Sequence, residues 1–477
     1  MRKGKIKWLH VVIGTLLVIL AFPASGFGAE PHLPGQGLGA YWIIPFVCML
    51  LSIAVCPLTV PHFWEHNFGK VAVFWGLAFL VPCALVYGPA TALFEAWHAI
   101  ILDYVPFIIL LLSLFTVAGG VRLTGSLVGT PLVNTGILLI GALLASWMGT
   151  TGAAMLLIRP MLRANAHRRY KVHSVVFFIF LVANIGGCLT PLGDPPLFLG
   201  FLKGVSFFWT FTHLLPMLLV EAGLLLVVYF ILETVLYNRE GRPVPPAEET
   251  EHTEKLGLEG KVNLLLLLGI VLTVLLSGSV NFGSVEIYHV SIPLQNVMQN
   301  VLLLLLAALS LKLTSRESRR RNNFTWAPIL EVGKLFFGIF LSMIPALAIL
   351  RAGEQGALHA VISLVTHEGQ PVNPMYFWLT GSLSSFLDNA PTYLVFFNTA
   401  GGDPVTLMGP MAETLAAISA GAVFMGANTY IGNAPNFMVR SIAENQGVRM
   451  PSFFGYMAWS VAILVPSFVL LTFIFIN

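Results

Sequence analysis

The sequence predicts an all-α polytopic membrane protein, an inverted-repeat secondary transporter with two re-entrant hairpins and two discontinuous helices. Three observations carry this expectation. The chain of 477 residues is 57% hydrophobic and only 10% charged, with a mean hydropathy of +0.84, a composition suited to lipid as solvent. Its apolar runs are interrupted by Asn, Thr, Gly, Pro and Asp, which a bilayer tolerates only where the broken backbone is buried in protein or lines a watery cavity. The interruptions also come in pairs. ANIGGCLTPLGDPPLFLGFLKG, Ala183 to Gly204, is echoed by ANTYIGNAPNFMVRSIAENQG, Ala427 to Gly447, and SWMGTTGAAMLL near Met148 by SSFLDNAPTYLVF near Asp388. Broken helices at corresponding places in two halves point to a substrate or ion site near the bilayer midplane.

Residues 1–30 combine a basic start, an apolar stretch and small residues before Glu30, and fit a signal peptide or a first membrane helix equally well. The first repeat, 40–236, opens with helices expected near 41–60, 71–88 and 99–121, the third delivering Arg122 to the cytoplasm. The run 132–158 breaks at GTTG and ends in RPMLRANAHRRYK, whose charges also favour the cytoplasm, so entry and exit share a face. That makes a re-entrant hairpin with Gly149, Thr150, Thr151 and Gly152 at its tip. The run 172–202 crosses but is broken at NIGGCLTPLGDPP, because Pro191, Pro195 and Pro196 do not fit one continuous helix. A helix near 207–236 completes the half.

Residues 237–260, rich in Pro and Glu, read as a cytoplasmic linker. In the second repeat, 261–477, helices near 262–279, 293–313 and 327–350 precede a hairpin over 356–397 with DNAP at its tip. A helix from Glu413 to Arg440, broken at NTYIGNAPN, and a last span from Phe453 to Ile476 follow. An odd number of crossings per half inverts the second copy, at an offset of roughly 230–245 residues.

Several function classes are excluded or disfavoured. The net charge of +3 is carried by Lys and Arg clustered between apolar runs, the positive-inside pattern, so no nucleic-acid face is expected. Cys48, Cys56, Cys83 and Cys188 lack metal-ligand spacing and read as small core residues. No nucleotide-binding loop and no nucleophile–base or metal constellation stands out, so neither an ATP-driven pump nor an enzyme is expected, and no bound cofactor. The expected location is a bacterial-type inner (plasma) membrane, crossed many times.

An aspartate in mid-membrane costs about 2.5–3.5 kcal/mol on insertion scales and is a functional candidate by default. Asp194, in TPLGDPP, and Asp388, in FLDNAPT, meet that description. Either could bind sodium or a proton, or could only cap the half-helix beside it. Neutral oxygen donors in the same breaks, Thr150, Thr151, Asn184, Thr190, Asn389, Thr392, Asn428 and Asn433, with Thr429 and Asn436 beside them, suit a hard cation. Each could equally be an interhelical hydrogen bond. Gly186, Gly187, Gly193 and Gly432 are expected to permit the unwinding. Asp103 and Glu331, near helix starts, read as dipole partners. Glu221 and Lys334 lie deeper, and Arg351 ends the helix before the second hairpin. His98, His173, His213 and His359 read as snorkelling or core residues, and His167 joins the cytoplasmic cations.

TPLGDPP, DNAP and the mirrored Asn-containing breaks together resemble the NhaD-type sodium/proton antiporters and their relatives in the ion transporter superfamily, which includes CitMHS-type citrate carriers. The resemblance runs from about residue 40 to the end. It implies a dimerising scaffold domain, hence a homodimer, a transport domain of two opposed hairpins and two broken helices, and Asp194 and Asp388 as carriers of Na+ and H+. Sodium/proton exchange is therefore the leading expectation. The alternative is cation-coupled symport of citrate or another organic anion, held by half-helix N-termini without Arg or Lys.

Overall fold

The structure is a computed structural model that describes residues 32–476 except 126, 244–256 and 288. The expected leader segment and most of the linker therefore lie outside the described residues. The helices run α1 (Ile44–Thr59), α2 (Pro61–Tyr87), α3 (Pro89–His98), α4 (Val105–Ala118), α5 (Pro131–Met148), α6 (Thr150–Ala164), α7 (Val172–Leu181), α8 (Pro195–Leu202) and α9 (Trp209–Arg239). After the linker come α10 (Val262–Ser279), α11 (Leu294–Leu313), α12 (Arg316–Arg321), α13 (Ala327–Ser342), α14 (Ile344–Arg351) and α15 (His359–Val365). The last group is α16 (Asn373–Phe386), α17 (Asn389–Thr399), α18 (Pro404–Met408), α19 (Ala412–Met425), α20 (Ala434–Asn445) and α21 (Phe453–Phe475).

Among the described residues, eight helices are long and apolar enough to cross a membrane, nine if the bent pair α13–α14 forms one span. The protein is thus an all-α polytopic membrane protein. The three sheets are two-stranded, and one of them joins Arg122–Thr124 to Gly257–Glu259 across the linker.

The expected spans reappear with instructive differences. The span expected to start near 99 starts at Pro89 instead. Between α3 and α4 the chain runs through a π-helical segment, Ala99–Tyr104, that widens the turn around Asp103. The single helix expected over 327–350 is bent by 43° between α13 and α14. Pro345, second residue of α14, explains it, since it lacks the N–H that would continue the ladder. At the start of α5 the Thr130 hydroxyl accepts from the Val133 N–H, and Pro131 occupies the first helical position, a standard helix entry.

Two packing groups position the site. Helix α13 lies along α2, and α11 along α4; α5 and α6 pack on each other, as do α16 and α19. The two halves interlock: α6 of the first packs against α20 of the second, and α17 of the second against α8 of the first. The principal core includes Phe177, Phe178, Phe180 and Phe198 of the first half and Tyr393, Phe397 and Phe424 of the second.

Candidate functional site

The two helix breaks share the Thr-to-Ser-carbonyl contact and the serine hydroxyl's bond to a carbonyl of the break, and differ in what donates to that hydroxyl, a backbone N–H in the first and a side-chain amide in the second. In the first, the Ser146 carbonyl accepts the Thr190 hydroxyl, while Ser146 Oγ donates to the Gly186 carbonyl at 2.6 Å and accepts from the Leu189 N–H at 3.0 Å. In the second, the Ser385 carbonyl accepts the Thr429 hydroxyl, while Ser385 Oγ donates to the Met425 carbonyl at 3.0 Å and accepts from Asn428 Nδ2 at 2.9 Å. Ser146 and Ser385, Thr190 and Thr429, and Gly186 and Met425 are each 239 residues apart, within the offset expected from the sequence. The glycine crossings repeat at the same interval. A Cβ on Gly193 would lie 2.1 Å from the Gly187 carbonyl oxygen, and one on Gly432 2.6 Å from that of Gly426, so neither position admits a side chain.

Where α5 meets α6, Gly149 takes φ +80°, a conformation that favours glycine. The Thr150 N–H that this turn frees donates to the Gly193 carbonyl at 2.9 Å, tying the hairpin tip to the broken segment. At the corresponding tip, Asp388 caps α17 by accepting from the Ala390 N–H at 3.1 Å.

Asp194 is the convergence point. It is buried and sits at the start of α8, yet its carboxylate makes no cap bond there. Instead Oδ1 accepts from Thr150 Oγ1 at 3.1 Å and from Asn433 Nδ2 at 3.0 Å, and Oδ2 accepts from Asn389 Nδ2 at 2.5 Å. One donor comes from each hairpin tip and one from the opposite broken helix. Asn389 Oδ1, buried beside this carboxylate, has no hydrogen-bond partner among the described residues. A buried acceptor without a donor is costly; the amides of Asn389 and Asn433 both turn their nitrogens toward Asp194, so the oxygens that meet at this point are those of Asp194 and Thr150.

Asp194, Asp388, Thr150, Thr151 and Asn433 all line one cleft, roofed by Leu110, Leu114 and Phe115 of α4 and by Ile329, Val332 and Phe336 of α13. The cleft holds about 100 Å³ of space. Among the described residues, neither Lys, Arg nor His lines it. The first residues of α6, α8 and α20, namely Thr150, Pro195 and Ala434, do line it, and so does Asp388 at the head of α17. Four helix N-termini thus bring the positive ends of their dipoles to one cavity, although Pro195, Pro196 and Pro435 carry no N–H and the Thr150 N–H is taken by the Gly193 carbonyl.

The other candidates lie around this centre. Asn184 is fully buried and donates to the Ile179 carbonyl and to Asn436 Oδ1, both at 2.7 Å, while accepting from Asn433 at 3.2 Å. It steadies Asn433 and does not meet Asp194 in a hydrogen bond. Thr190 serves the Ser146 contact, and the Thr392 hydroxyl returns to the Asp388 carbonyl at 2.9 Å. Asn428 bonds Ser385, and its Oδ1 has no hydrogen-bond partner among the described residues. None of Asn184, Thr190, Asn389, Thr392 and Asn428 lines the cleft.

Among the remaining charges, Glu221 accepts from the Ser467 hydroxyl at 2.7 Å, and Lys334 lies 5.0 Å from the centre of the Phe68 ring. Asp103 pairs with Lys203 at 2.5 Å. One group of cations expected at the aqueous surface is instead partly internal. Arg168, whose side chain is fully buried, pairs with Glu233 at 2.7 Å and Glu240 at 2.8 Å, and Glu233 also meets His173. Burial pulls the Arg168 guanidinium down, but the hydrogen bonds and charges of Glu233 and Glu240 outweigh that and hold it above its ordinary value. No sequence pattern announced this cluster, because its partners stand 60 to 72 residues apart. The hinge hydroxyls of Ser146 and Ser385 were likewise visible only as the matching start of SWMG and SFLD.

No curated protein matches the chain. Residues 35–476 match the family model CitMHS_2, described as "Putative citrate transport", and since that match spans both helix breaks and the cleft between them, the chain belongs to the CitMHS_2 family.

Proposed function

We propose that the protein is a secondary carrier that moves citrate or a closely related organic anion together with a cation, which binds at Asp194. The observation that carries this reading is the meeting of four helix N-termini at a cleft whose charged side chains are both acids. The helix ends suit the carboxylates of an anion in the absence of Arg or Lys. Asp194 and Asp388 by themselves oppose it. Two like unit charges 4 Å apart repel by roughly 4 kcal/mol at the effective dielectric of a protein surface. A sodium ion or a proton at Asp194 removes that carboxylate's share of the repulsion, so cation and anion favour each other's binding. Reciprocal coupling of this kind is the thermodynamic content of symport. Two opposed hairpins inverted between halves, as expected from the sequence, would let one central site face either side in turn.

Of the two functions expected from the sequence, membership in a citrate transport family favours organic-anion symport over sodium/proton exchange. Exchange keeps one observation in its favour, the pair of acids in a cleft without basic residues. Purified protein in liposomes separates them. Citrate uptake driven by an imposed sodium or proton gradient supports symport. Sodium-driven proton movement without citrate, together with failure to take up citrate, supports exchange.

A further inference from the structure

A second cavity lies on the far side of an aromatic layer from the Asp194 cleft. The two cavities follow one another along the same pair of helices. Leu110, Leu114 and Phe336 line the cleft, whereas Ala99, Asp103 and Phe340 line the second cavity. Between them stand Phe107, Phe336 and Phe340. The Phe107 ring centre is 4.7 Å from that of Phe336 and 5.7 Å from that of Phe340, and Phe336 and Phe340 are 6.2 Å apart. Tyr104 extends the layer, 6.2 Å from Phe340, with its hydroxyl bonded to the Gly333 carbonyl at 2.9 Å. Phe107 is fully buried and Phe336 and Phe340 nearly so, which makes the layer a packed apolar seal.

The second cavity differs chemically from the cleft. Its two acids are already engaged: Glu95 accepts the Leu33 N–H at 2.9 Å, and Asp103 pairs with Lys203. Arg351, at the end of α14, also lines it. Arg351 is exposed, and its Nε donates to Asn398 Oδ1 at 2.8 Å. Among the described residues its two terminal amino groups have no hydrogen-bond partner and no carboxylate pairs with it. A guanidinium held by Nε and offering both terminal nitrogens has the fork geometry that a carboxylate matches with two parallel bonds.

We propose that this cavity is a vestibule that binds a carboxylate group of the transported anion through Arg351, separated from the Asp194 cleft by the Phe107–Phe336–Phe340 seal. The inference rests on the organic-anion reading for its ligand class and on the Arg351 environment for the site. Anion caught at Arg351 is held near the route inward. The cation-dependent step waits until the seal parts, and only then does the anion meet Asp194.

The test uses the full chain in liposomes and two readouts. In the first, Arg351→Gln is expected to raise the apparent KM for citrate about tenfold, the loss expected for a charge-assisted hydrogen bond, with kcat within about twofold of its original value. Arg351→Lys, which keeps the charge and loses the fork, is expected to fall between. In the second, Ala352→Cys, at the cavity wall, is labelled with an impermeant thiol reagent and read on the peptide carrying that position. Citrate is expected to slow this labelling and acetate is not, and adding Arg351→Gln is expected to remove the protection. Unchanged KM in both Arg351 variants together with no protection by citrate overturns the vestibule. Protection that depends on Arg351 in a protein that moves no citrate under any gradient upholds the vestibule and instead removes the citrate-carrier reading.

Discussion

Asp194 and Asn433 hold corresponding positions in the two halves, 239 residues apart, and bond each other, Asn433 Nδ2 donating to Asp194 Oδ1 at 3.0 Å. The same exchange is repeated at the hairpin tips. Thr150 and Asn389, again 239 residues apart, both donate to Asp194. An arrangement repeated in its backbone is thus made unequal in its side chains, with the buried carboxylate on one side and amides on the other. One acid at the centre of two repeats suits a single cation better than a matched pair.

Asp194→Asn is expected to abolish gradient-driven citrate uptake while the protein still reaches the membrane. Three donors face the carboxylate, and an amide there presents only one acceptor oxygen, so a stability loss of about 1–3 kcal/mol is expected alongside. Uptake and unfolding temperature measured on the same preparation separate the two effects. Wild-type uptake in the variant would remove Asp194 from the mechanism.

Asp388 carries two duties that substitution can divide. Asparagine is as good a helix cap as aspartate, so Asp388→Asn should retain the α17 cap, whereas Asp388→Ala should lose about 0.5–2 kcal/mol of stability. Both should depress uptake if the charge in the cleft matters. An Asp388→Asn protein with full uptake would leave Asp388 as a cap alone.

Removing Arg168 strands Glu233 in a buried site where His173 is its remaining ionisable partner. Arg168→Ala is therefore expected to cost about 3–5 kcal/mol. Replacing Arg168 and Glu233 together by apolar residues of similar size should cost much less. The thermal unfolding of the single and double variants checks this, and equal losses in both would deny that the stranded charge is the cause.

Topology follows from the charge distribution. Arg320→Cys, in the basic turn of α12, and Val405→Cys, 73% exposed on α18, are expected to react with an impermeant thiol reagent from opposite faces of the membrane. Labelling from the same face would rule out the inverted arrangement of the two halves.

The fold was legible wherever the sequence broke a physical rule of lipid. Pro191, Pro195 and Pro196 in the first break and Pro435 in the second withhold N–H groups, and Gly149 takes a positive φ, so both helix breaks and the turn between α5 and α6 could be placed within a few residues. Asp194 and Asp388 stood out because a carboxylate in an apolar run has a cost that needs a reason. The bend at Met343 and the early start at Pro89 were hidden, since hydropathy reports burial in lipid and is blind to the direction of the axis. Ser146 and Ser385 look like ordinary small residues until the carbonyls they bridge are seen. The Arg168–Glu233 pair and the unshared fork of Arg351 depend on which distant helices meet, and neither has a local signature.

Citrate uptake by purified protein in liposomes, compared between wild type and Asp194→Asn across imposed sodium and proton gradients, bears most directly on cation-coupled anion transport at Asp194. Uptake should accumulate citrate only when one of those gradients is present, should raise the apparent affinity for the driving cation as citrate increases, and should vanish in Asp194→Asn. Sodium-driven proton flux with no citrate present, and no citrate accumulation under either gradient, would contradict it.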